Sequence, residues 1–338
     1  MLTVCYVTAR RDNHVRWFFD SLHRELGARY DDTDVVVVDF WAEAQRPGEG
    51  WNAREADARR AAYPPRFRGP AAKLRVVPPA PNVWQGPFRR TRENFYAKSN
   101  ALNTAVLHAR GDHLLFLDDL GVLAPGFFGP VREARRYPRR ISCFAFDKHD
   151  AMEVSDGRIL RSRPRQPRPQ DDRLAAGSRP RRIAGPAAYG GALVVPMDVA
   201  LAIDGWPQDC DGMRSQDSAF GLVAANAGFE VFYDPRAMVV EGADRHSDAS
   251  VVMRGASAAT IGGKAGGKTR KAVFLERCKG LRRFANYYGP GGLRARRKEV
   301  LQGGPVPRIL EPRVDWFSRV PLEKYEAPRT NNELARTA

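Results

Sequence analysis

The chain has 338 residues, 43% of them hydrophobic, and a formal net charge of +16 at pH 7. That hydrophobic content supports a packed core and excludes an intrinsically disordered protein. No apolar run approaches the roughly 18 residues that a membrane-spanning helix needs, and the first residues lack the segments of a signal peptide. We therefore expect a cytoplasmic protein without a transmembrane segment. Its positive charge favours a polyanionic partner, such as a nucleic acid, an anionic membrane surface or an acidic glycan.

The cysteines also indicate a reducing compartment. The four of them are far apart in the sequence, and none forms the close pair typical of a zinc site: Cys5, Cys143, Cys210 and Cys278. Reduced thiols in the cytoplasm are the simplest interpretation of this spacing.

The N-terminal third predicts two β-α-β units. Its strands are continuous apolar runs, and its first helix repeats apolar residues at helical spacing. This pattern is typical of a doubly wound α/β sheet that is covered by helices on both faces. The predicted elements are strand 3–8, helix 14–26, strand 34–39, strand 74–77, helix 94–109 and strand 114–117.

The remainder of the chain predicts further strands and helices and two strongly basic segments. The arginine-rich insert (residues 158–182) holds nine arginines and four prolines against two aspartates, so we expect a flexible surface loop. Residues 1–250 form the predicted catalytic domain, and 251–338 a basic extension packed on it, ending in an irregular tail. The predicted elements are strands 141–146, 188–196, 230–233 and 237–240, and helices 197–203, 217–227 and 270–287.

Strand 114–117 ends on two adjacent carboxylates, Asp118 and Asp119, and we expect a loop at 121–126. Unpaired carboxylates at a sheet edge repel each other and resist desolvation. A Mg²⁺ or Mn²⁺ ion that carries a diphosphate would satisfy both, because such ions take one or two carboxylates plus phosphate oxygens. The plainer alternative is an aspartate-rich turn. Asp39 ends a neighbouring strand in the same way.

Four short stretches follow one another along roughly residues 1–250: 7–10 with 17–22, 98–104 with 116–119, 190–191 with 204–206, and 215–221 with 227–229. Their order resembles the family 2-like glycosyltransferases with the GT-A fold, including the galactosyltransferase-type C-terminal region. The resemblance implies a GT-A doubly wound mixed sheet, a nucleotide-sugar donor, usually UDP-linked, and Mn²⁺ or Mg²⁺ as cofactor.

The resemblance also implies roles for individual residues. Asp118 and Asp119 occupy the place of the family's D-x-D element as a bare pair, so either of them could contact the metal directly. His246 resembles the histidine that completes the metal site, although a lone loop histidine is usually only solvated. The implied donor-binding residues are Thr8, Arg11, Asp39, Lys98, Asn100 and Asp118.

Asp217 is the predicted catalytic base. An acceptor hydroxyl loses its proton as it attacks the anomeric carbon, and a positioned carboxylate can take that proton. Gln216 stands where the family usually has glutamate, so its expected role is a hydrogen bond to a sugar hydroxyl. One base and one displacement imply inversion at the anomeric carbon. Gly191, Trp206 and Gln216 are the expected acceptor or sugar pocket, with a core position as the alternative for Trp206.

Residues 262–269 satisfy the Walker A pattern but follow small and polar residues rather than a buried strand, which argues against a nucleoside triphosphatase. A better hypothesis is a loop that closes over the donor diphosphate, with Lys264 and Lys268 binding the anion.

The acceptor stays open between two classes. One is a surface-glycan intermediate; the other is a hydroxymethylated base in DNA, which would contact the arginine-rich insert and the basic segment 264–298. A third hypothesis, of another class, is a non-catalytic nucleic-acid- or carbohydrate-binding protein built on the same fold.

Overall fold

The structure is a computed structural model that describes residues 1–27, 32–45, 50–63, 74–89, 94–166, 170–211, 216–243 and 270–310. For residues 270–273 only the backbone is described. His246, Lys264 and Lys268 therefore lie outside the described residues, as does the Walker-like segment.

The predicted α/β class is confirmed, with a ten-stranded mixed sheet in the described part of the chain. The strand order is β3-β2-β1-β4-β9-β6-β10-β5, while β7 pairs with β6 and β8 with β10. The strands are β1 (Leu2–Thr8), β2 (Thr33–Asp39), β3 (Leu74–Val77), β4 (His113–Asp118), β5 (Gly121–Leu123), β6 (Arg140–Ser155), β7 (Arg158–Pro164), β8 (Arg181–Arg182), β9 (Ala192–Pro196) and β10 (Glu230–Gly242).

Helices cover both faces of this sheet. None of them, in the ranges that the structure describes, is long and apolar enough to cross a membrane. They are α1 (Val15–Leu26), α2 (Ala53–Ala61), α3 (Lys98–His108), α4 (Phe128–Ala134), α5 (Met197–Ala202), α6 (Gln216–Asn226), α7 (Arg270–Cys278) and α8 (Gly292–Leu301).

Side chains of the central strands alternate between the two faces of the sheet, and this divides the core into two layers. Val4 and Tyr6 of β1 pack with α1 on one face, while Cys5 and Val7 face a second cluster that contains α3 and α6 side chains. Because successive side chains of a strand point to opposite faces, a continuous apolar strand supplies both layers. Leu293 of α8 is also fully buried in the second cluster, where α8 contacts α3.

The prediction of a flexible loop at residues 158–182 is wrong. Residues 158–164 form β7, which pairs antiparallel with the extended end of β6. Asp156 and Gly157 turn between the strands with φ of 49° and 69°, the left-handed pair of a tight hairpin turn. This tip packs closely on α1, since a Cβ on Gly157 would lie 2.2 Å from the backbone nitrogen of Ser21.

The second half of the insert is fixed by a buried ion pair. The Arg173 Nε lies 2.7 Å from Asp171 Oδ1, and both residues are buried. The guanidinium lies 4.3 Å from the ring centres of Tyr189 and of Tyr233. Charge alone therefore gave the wrong expectation, because one arginine of the insert is part of the interior.

Other boundaries differ from the sequence prediction. The expected loop 121–126 begins with strand β5, which pairs with β10. The strands expected at 230–233 and 237–240 are one strand, with a register shift between Asp234 and Met238. The helix expected at 270–287 ends at Cys278, and α8 follows it. The strand predicted at 74–77 has the same ends in the structure, and the remaining predicted strands and helices are present with shifted ends.

Candidate active site

Three strands bring their C-terminal ends to one edge of the sheet. β1 lies between β2 and β4 and runs parallel to both, so that Thr8 is opposite Asp39 and Val7 is opposite Asp118. Ligands of open α/β sheets bind beyond such strand ends. The topology thus assembles the predicted donor residues from separate parts of the chain.

Asp119 has its charge satisfied within the protein. The Thr8 hydroxyl donates to Asp119 Oδ2 at 2.9 Å, and Arg10 Nε lies 3.0 Å from the same oxygen. Burial raises the pKa of Asp119, while the charge of Arg10 opposes that rise. Leu120 follows with φ of 63°, so the chain turns sharply directly after the two aspartates.

Asp118 points to a more open position, where it meets Lys98. Its side chain is 33% exposed, and Lys98 Nζ donates to its Oδ2 at 2.8 Å. The same Nζ lies 4.0 Å from Asp217 Oδ2. Burial opposes the charged form of Lys98, but the carboxylates of Asp118 and Asp217 more than compensate and raise its pKa. One ammonium group therefore links two acids that are about a hundred residues apart.

The first turn of α6 positions Asp217 and Gln216. Both side chains are partly buried, and Gln216 Nε2 lies 3.4 Å from Asp217 Oδ2. A carboxylate in the first turn of a helix is stabilised by the helix dipole. The predicted base and its neighbour thus lie at the site, and their chemical roles stay a prediction.

Asp39 is fully buried and bonded to the chain itself. Its carboxylate accepts hydrogen bonds from Arg59 Nε at 2.6 Å, the Tyr63 hydroxyl at 2.7 Å and the Trp41 backbone nitrogen at 3.0 Å. Arg59 also donates to the carbonyl of Arg10 at 2.9 Å. Asp39 therefore fixes the loop after β1, and its contact with a nucleotide stays a prediction.

Arg11 extends from that loop over an aromatic surface. It is exposed, and its guanidinium carbon lies 5.7 Å from the ring centre of Trp41 and 5.0 Å from that of Trp51. Cations are attracted to such ring faces. The arrangement leaves a planar, positively charged surface beside the strand ends.

Two predicted site residues are placed in the interior instead. Asn100 is 1% exposed, and its amide donates to the Ala80 carbonyl at 2.7 Å. Trp206 is 0% exposed and stacks on Phe220, with ring centres 4.0 Å apart. The core alternative for Trp206 is therefore the one that the structure supports, and Asn100 has no open surface for a donor.

Glu241, which the sequence interpretation overlooked, lies at the same edge. It is 5% exposed, and Lys148 Nζ lies 3.4 Å from its Oε2. Burial raises the pKa of Glu241 to about 7, and the charge of Asp118 contributes while Lys148 opposes. A signal was present in the sequence, because Glu241 follows the apolar end of a strand as Asp39 and Asp118 do.

Tyr96 is a second overlooked residue. Its hydroxyl is buried, and no hydrogen-bond partner for it is present among the described residues. Burial raises the pKa of Tyr96, and the charges of Asp119 and Asp118 add to the rise. A buried hydroxyl without a hydrogen-bond partner in the protein can form one with a bound molecule.

The described residues hold no group of three histidine, cysteine or acidic side chains that could bind a metal ion. Asp118 has an accessible hard oxygen, which suits Mg²⁺ or Mn²⁺. Asp119 is bonded to Thr8 and Arg10. A site that combines one or two protein carboxylates with diphosphate oxygens fits these residues, since such ions keep few protein ligands.

One protein-family model matches the central part of the chain. Residues 82–190 match the family model described as Glycosyl transferase family 2. This segment contains α3, β4 and both aspartates of the 118–119 pair. A search of curated protein sequences found no match.

Solved glycosyltransferase structures are similar at low identity. GalNAc-T7, solved with UDP, GalNAc and Mn²⁺, is 14% identical with a TM-score of 0.49, over 71% of this chain and 43% of that one. TarS of S. aureus is 11% identical with a TM-score of 0.44, over 72% and 37%. The mannosyltransferase PcManGT of Pyrobaculum calidifontis, solved with GDP-Man and Mn²⁺, is 17% identical with a TM-score of 0.42, over 89% and 74%. The chain spans less than half the length of the first two.

Proposed function

We propose that this chain, a glycosyltransferase of the family 2 type, transfers a sugar from a nucleotide-sugar, UDP-linked, to an acceptor hydroxyl with inversion. The observation that carries the proposal is the position of Lys98 between Asp118 and Asp217, at 2.8 Å and 4.0 Å. These distances bring the proposed donor-binding acid, a cation and the proposed base close enough together to act on one bound substrate. Four free buried cysteines suit a reducing compartment, and we propose the cytoplasm.

Asp217 acts as the base in this proposal. Its carboxylate, 15% exposed in the side chain, takes the proton of the acceptor hydroxyl while the new bond to the anomeric carbon forms. Lys98 places its positive charge 4.0 Å from this carboxylate. Gln216 beside it carries no proton-accepting carboxylate, and we assign it a hydrogen bond to a sugar hydroxyl.

The leaving diphosphate needs positive charge as the glycosidic bond breaks. A bound divalent metal supplies Lewis-acid stabilisation of the leaving phosphate oxygens. Asp118 would hold that metal, and Lys98 presents a further cation beside it. Arg10 and Thr8 hold Asp119 in place, so that the loop after β1 keeps its position.

The acceptor that we propose first is a glycan intermediate. A nucleic acid is the second candidate, because β7 carries exposed arginines at positions 158, 161 and 163. Arg161 and Arg163 are paired in register with Glu153 and Asp150, however, and those acids reduce the positive potential. A gel shift with duplex DNA at two salt concentrations tests whether the acceptor is a nucleic acid. Binding through phosphate contacts would depend strongly on the salt concentration.

Two measurements test the proposal. A thermal-shift screen of nucleotide-sugars with Mn²⁺ should identify a donor that raises the melting temperature. With that donor, Asp217→Asn should abolish transfer while donor affinity changes little, since Asn keeps the shape and removes the base. Normal turnover by this variant would contradict the assignment of Asp217.

A further inference from the structure

The segment between α5 and α6 contains a buried acid to which the reaction described above gives no task. Asp211 is 6% exposed, and its carboxylate lies at the N-terminal end of α3. Its Oδ1 accepts from the Ser99 nitrogen at 2.7 Å, and its Oδ2 accepts from the Asn100 nitrogen at 3.1 Å. Burial raises the pKa of Asp211, whereas these two hydrogen bonds oppose the rise. The acid and the start of the helix therefore stabilise each other.

Asp211 supplies a cap that the residue before α3 does not supply. That residue is Ala97, whose methyl side chain cannot accept a hydrogen bond. The first N–H groups of a helix have no acceptor within the helix, and a polar side chain at its start usually provides one. Here the acceptor for Ser99 comes from a residue 112 positions further along the chain. The start of α3 is thus fixed by a distant part of the sequence.

The helix start that Asp211 caps carries Lys98 into the site. Lys98 is the first residue of α3, and its Nζ lies 2.8 Å from Asp118 Oδ2 and 4.0 Å from Asp217 Oδ2. A side chain can hold such a position only while its own backbone is fixed. The requirement is strict in catalysis, because a misplacement of about 1 Å can cost about 10²-fold in rate.

The C-terminal part of the chain in turn holds Asp211. Asp211 N donates to the Gln208 carbonyl at 2.9 Å, and Gln208 is 3% exposed. Gln208 N donates to Asn286 Oδ1 at 3.0 Å, its Nε2 donates to the Tyr288 hydroxyl at 3.2 Å, and its Oε1 accepts from the Tyr287 nitrogen at 2.9 Å. Supporting groups that are themselves held by hydrogen bonds position a site more precisely.

We propose that Asp211 positions Lys98 for the transfer reaction by capping α3, and that residues 286–288 hold Asp211 in place through Gln208. The inference deepens the proposed function and rests on it, because that function gives Lys98 its role. Asp211 is a positioning residue in this proposal, since it acts on the reaction only through the start of the helix.

The first test follows the position of Lys98 without any turnover. Lysine side chains are acetylated with acetic anhydride, and mass spectrometry of peptides gives the rate at each lysine. Lys98 is 21% exposed and paired with Asp118, so it should react slowly. Asp211→Ala should raise this rate by at least about threefold, because a frayed helix start exposes the ammonium group. Asp211→Asn should keep the wild-type rate, since its side-chain oxygen can accept from Ser99. Lys279, 67% exposed, is the internal reference.

The matched control is Asp234→Ala on β10. It removes another buried carboxylate that accepts a backbone hydrogen bond, in this case from the Arg236 nitrogen at 3.0 Å. This control should leave the acetylation rate of Lys98 unchanged. A rate in Asp211→Ala that equals the wild-type rate, or that Asp234→Ala raises equally, overturns the proposal.

The second test is a double-mutant cycle on turnover, with the donor from the thermal-shift screen. Asp211→Ala should lower kcat by at least about tenfold in the wild-type background but by less than about twofold in the Lys98→Met background, because both changes act through one ammonium group. Asp211→Asn should recover most of the wild-type kcat. A cap that only stabilises the fold would give the same factor in both backgrounds, and that result overturns the proposal.

If Asp211→Ala does not fold, Gln208→Met takes its place in both tests, because it removes the side-chain hydrogen bonds to residues 287 and 288. An unchanged acetylation rate at Lys98, or equal factors in the two backgrounds, again overturns the proposal. Failure of the proposed function is a different result, in which Asp211→Ala speeds the acetylation of Lys98 but Lys98→Met leaves turnover unchanged or no donor is found.

Discussion

The guanidinium of Arg59 holds the carboxylate of Asp39 at 2.6 Å, and Asp39 is 0% exposed. Asp39 ends β2, whereas Arg59 lies on α2 and also donates to the Arg10 carbonyl at 2.9 Å. This contact therefore joins the edge of the sheet to the loop that carries Arg11. The loop after β1 is thus positioned by a charge pair that itself faces the interior.

Replacement of Arg59 should destabilise the fold. Arg59→Met leaves the buried Asp39 without its charge partner, and loss of one member of a buried pair typically costs about 3–5 kcal/mol. Urea unfolding monitored by circular dichroism measures the free energy of unfolding. The control is Arg54→Met on the exposed side of the same helix, which should change it by less than about 0.5 kcal/mol. Equal stability of the two variants would show that Asp39 finds another partner.

Lys98 should be needed for turnover more than for stability. Lys98→Met removes the cation that lies 2.8 Å from Asp118 and 4.0 Å from Asp217, so we expect kcat to fall about 10²–10³-fold. Lys98→Arg should restore part of the rate because the charge returns. Steady-state kinetics with the donor from the thermal-shift screen measures both variants.

The surface variant Lys279→Met, whose side chain is 67% exposed, provides the control and should keep the wild-type rate. A Lys98→Met enzyme within about threefold of that control would remove Lys98 from the mechanism.

Much of the fold could be predicted because each element was encoded locally. The strand 34–39 contains a continuous run of four valines, and helix 14–26 has apolar residues at helical spacing, so either element could be recognised without its neighbours. The hairpin of β6 and β7 could not, because its stability comes from pairs such as Glu153 opposite Arg161. The composition of one strand does not show which residues the other places opposite it.

The candidate site also combines residues that local sequence could predict with residues that depend on distant parts of the chain. Asp118, Asp119 and Asp217 were found because each stands in a short recognisable stretch of sequence. Glu241 was missed because its position at this edge depends on Gly191, fifty residues earlier, whose lack of a side chain leaves room for the carboxylate. Burial of Trp206 was equally non-local, since its stacking partner Phe220 belongs to α6, whereas Trp206 lies in the segment after α5.

Gly191→Ala should damage the site specifically. The added Cβ would lie 2.3 Å from Glu241 Oε1, so the carboxylate must move away from residue 191. Such overpacking typically costs about 1–3 kcal/mol. Thermal unfolding should show that loss.

The control for Gly191 is Gly129→Ala in α4, where a new Cβ meets nothing within 4 Å. Alanine in a helix should leave stability equal or slightly higher. A Gly191→Ala protein that is as stable as this control would show that Glu241 is free to move.

His108 should make the fold acid-sensitive. Burial lowers the pKa of this histidine to about 4, and the charge of Arg75 adds to the effect, whereas the unfolded chain has a pKa of about 6.5 there. Between these two values the unfolded state binds a proton that the folded state does not bind. His108 therefore leaves the free energy of unfolding undiminished above about pH 6.5. As the pH falls from there towards about 4, this residue lowers the free energy of unfolding progressively.

Removal of this titration should flatten the pH dependence. The difference in unfolding free energy between pH 7 and pH 4.5, measured with urea, should be smaller in His108→Gln than in wild type, because glutamine does not titrate. Other acids contribute equally to both proteins and cancel in the comparison. His23→Gln, at an exposed position on α1, should retain the wild-type difference. An unchanged difference in His108→Gln would mean that the folded protein protonates this side chain as readily as the unfolded chain does.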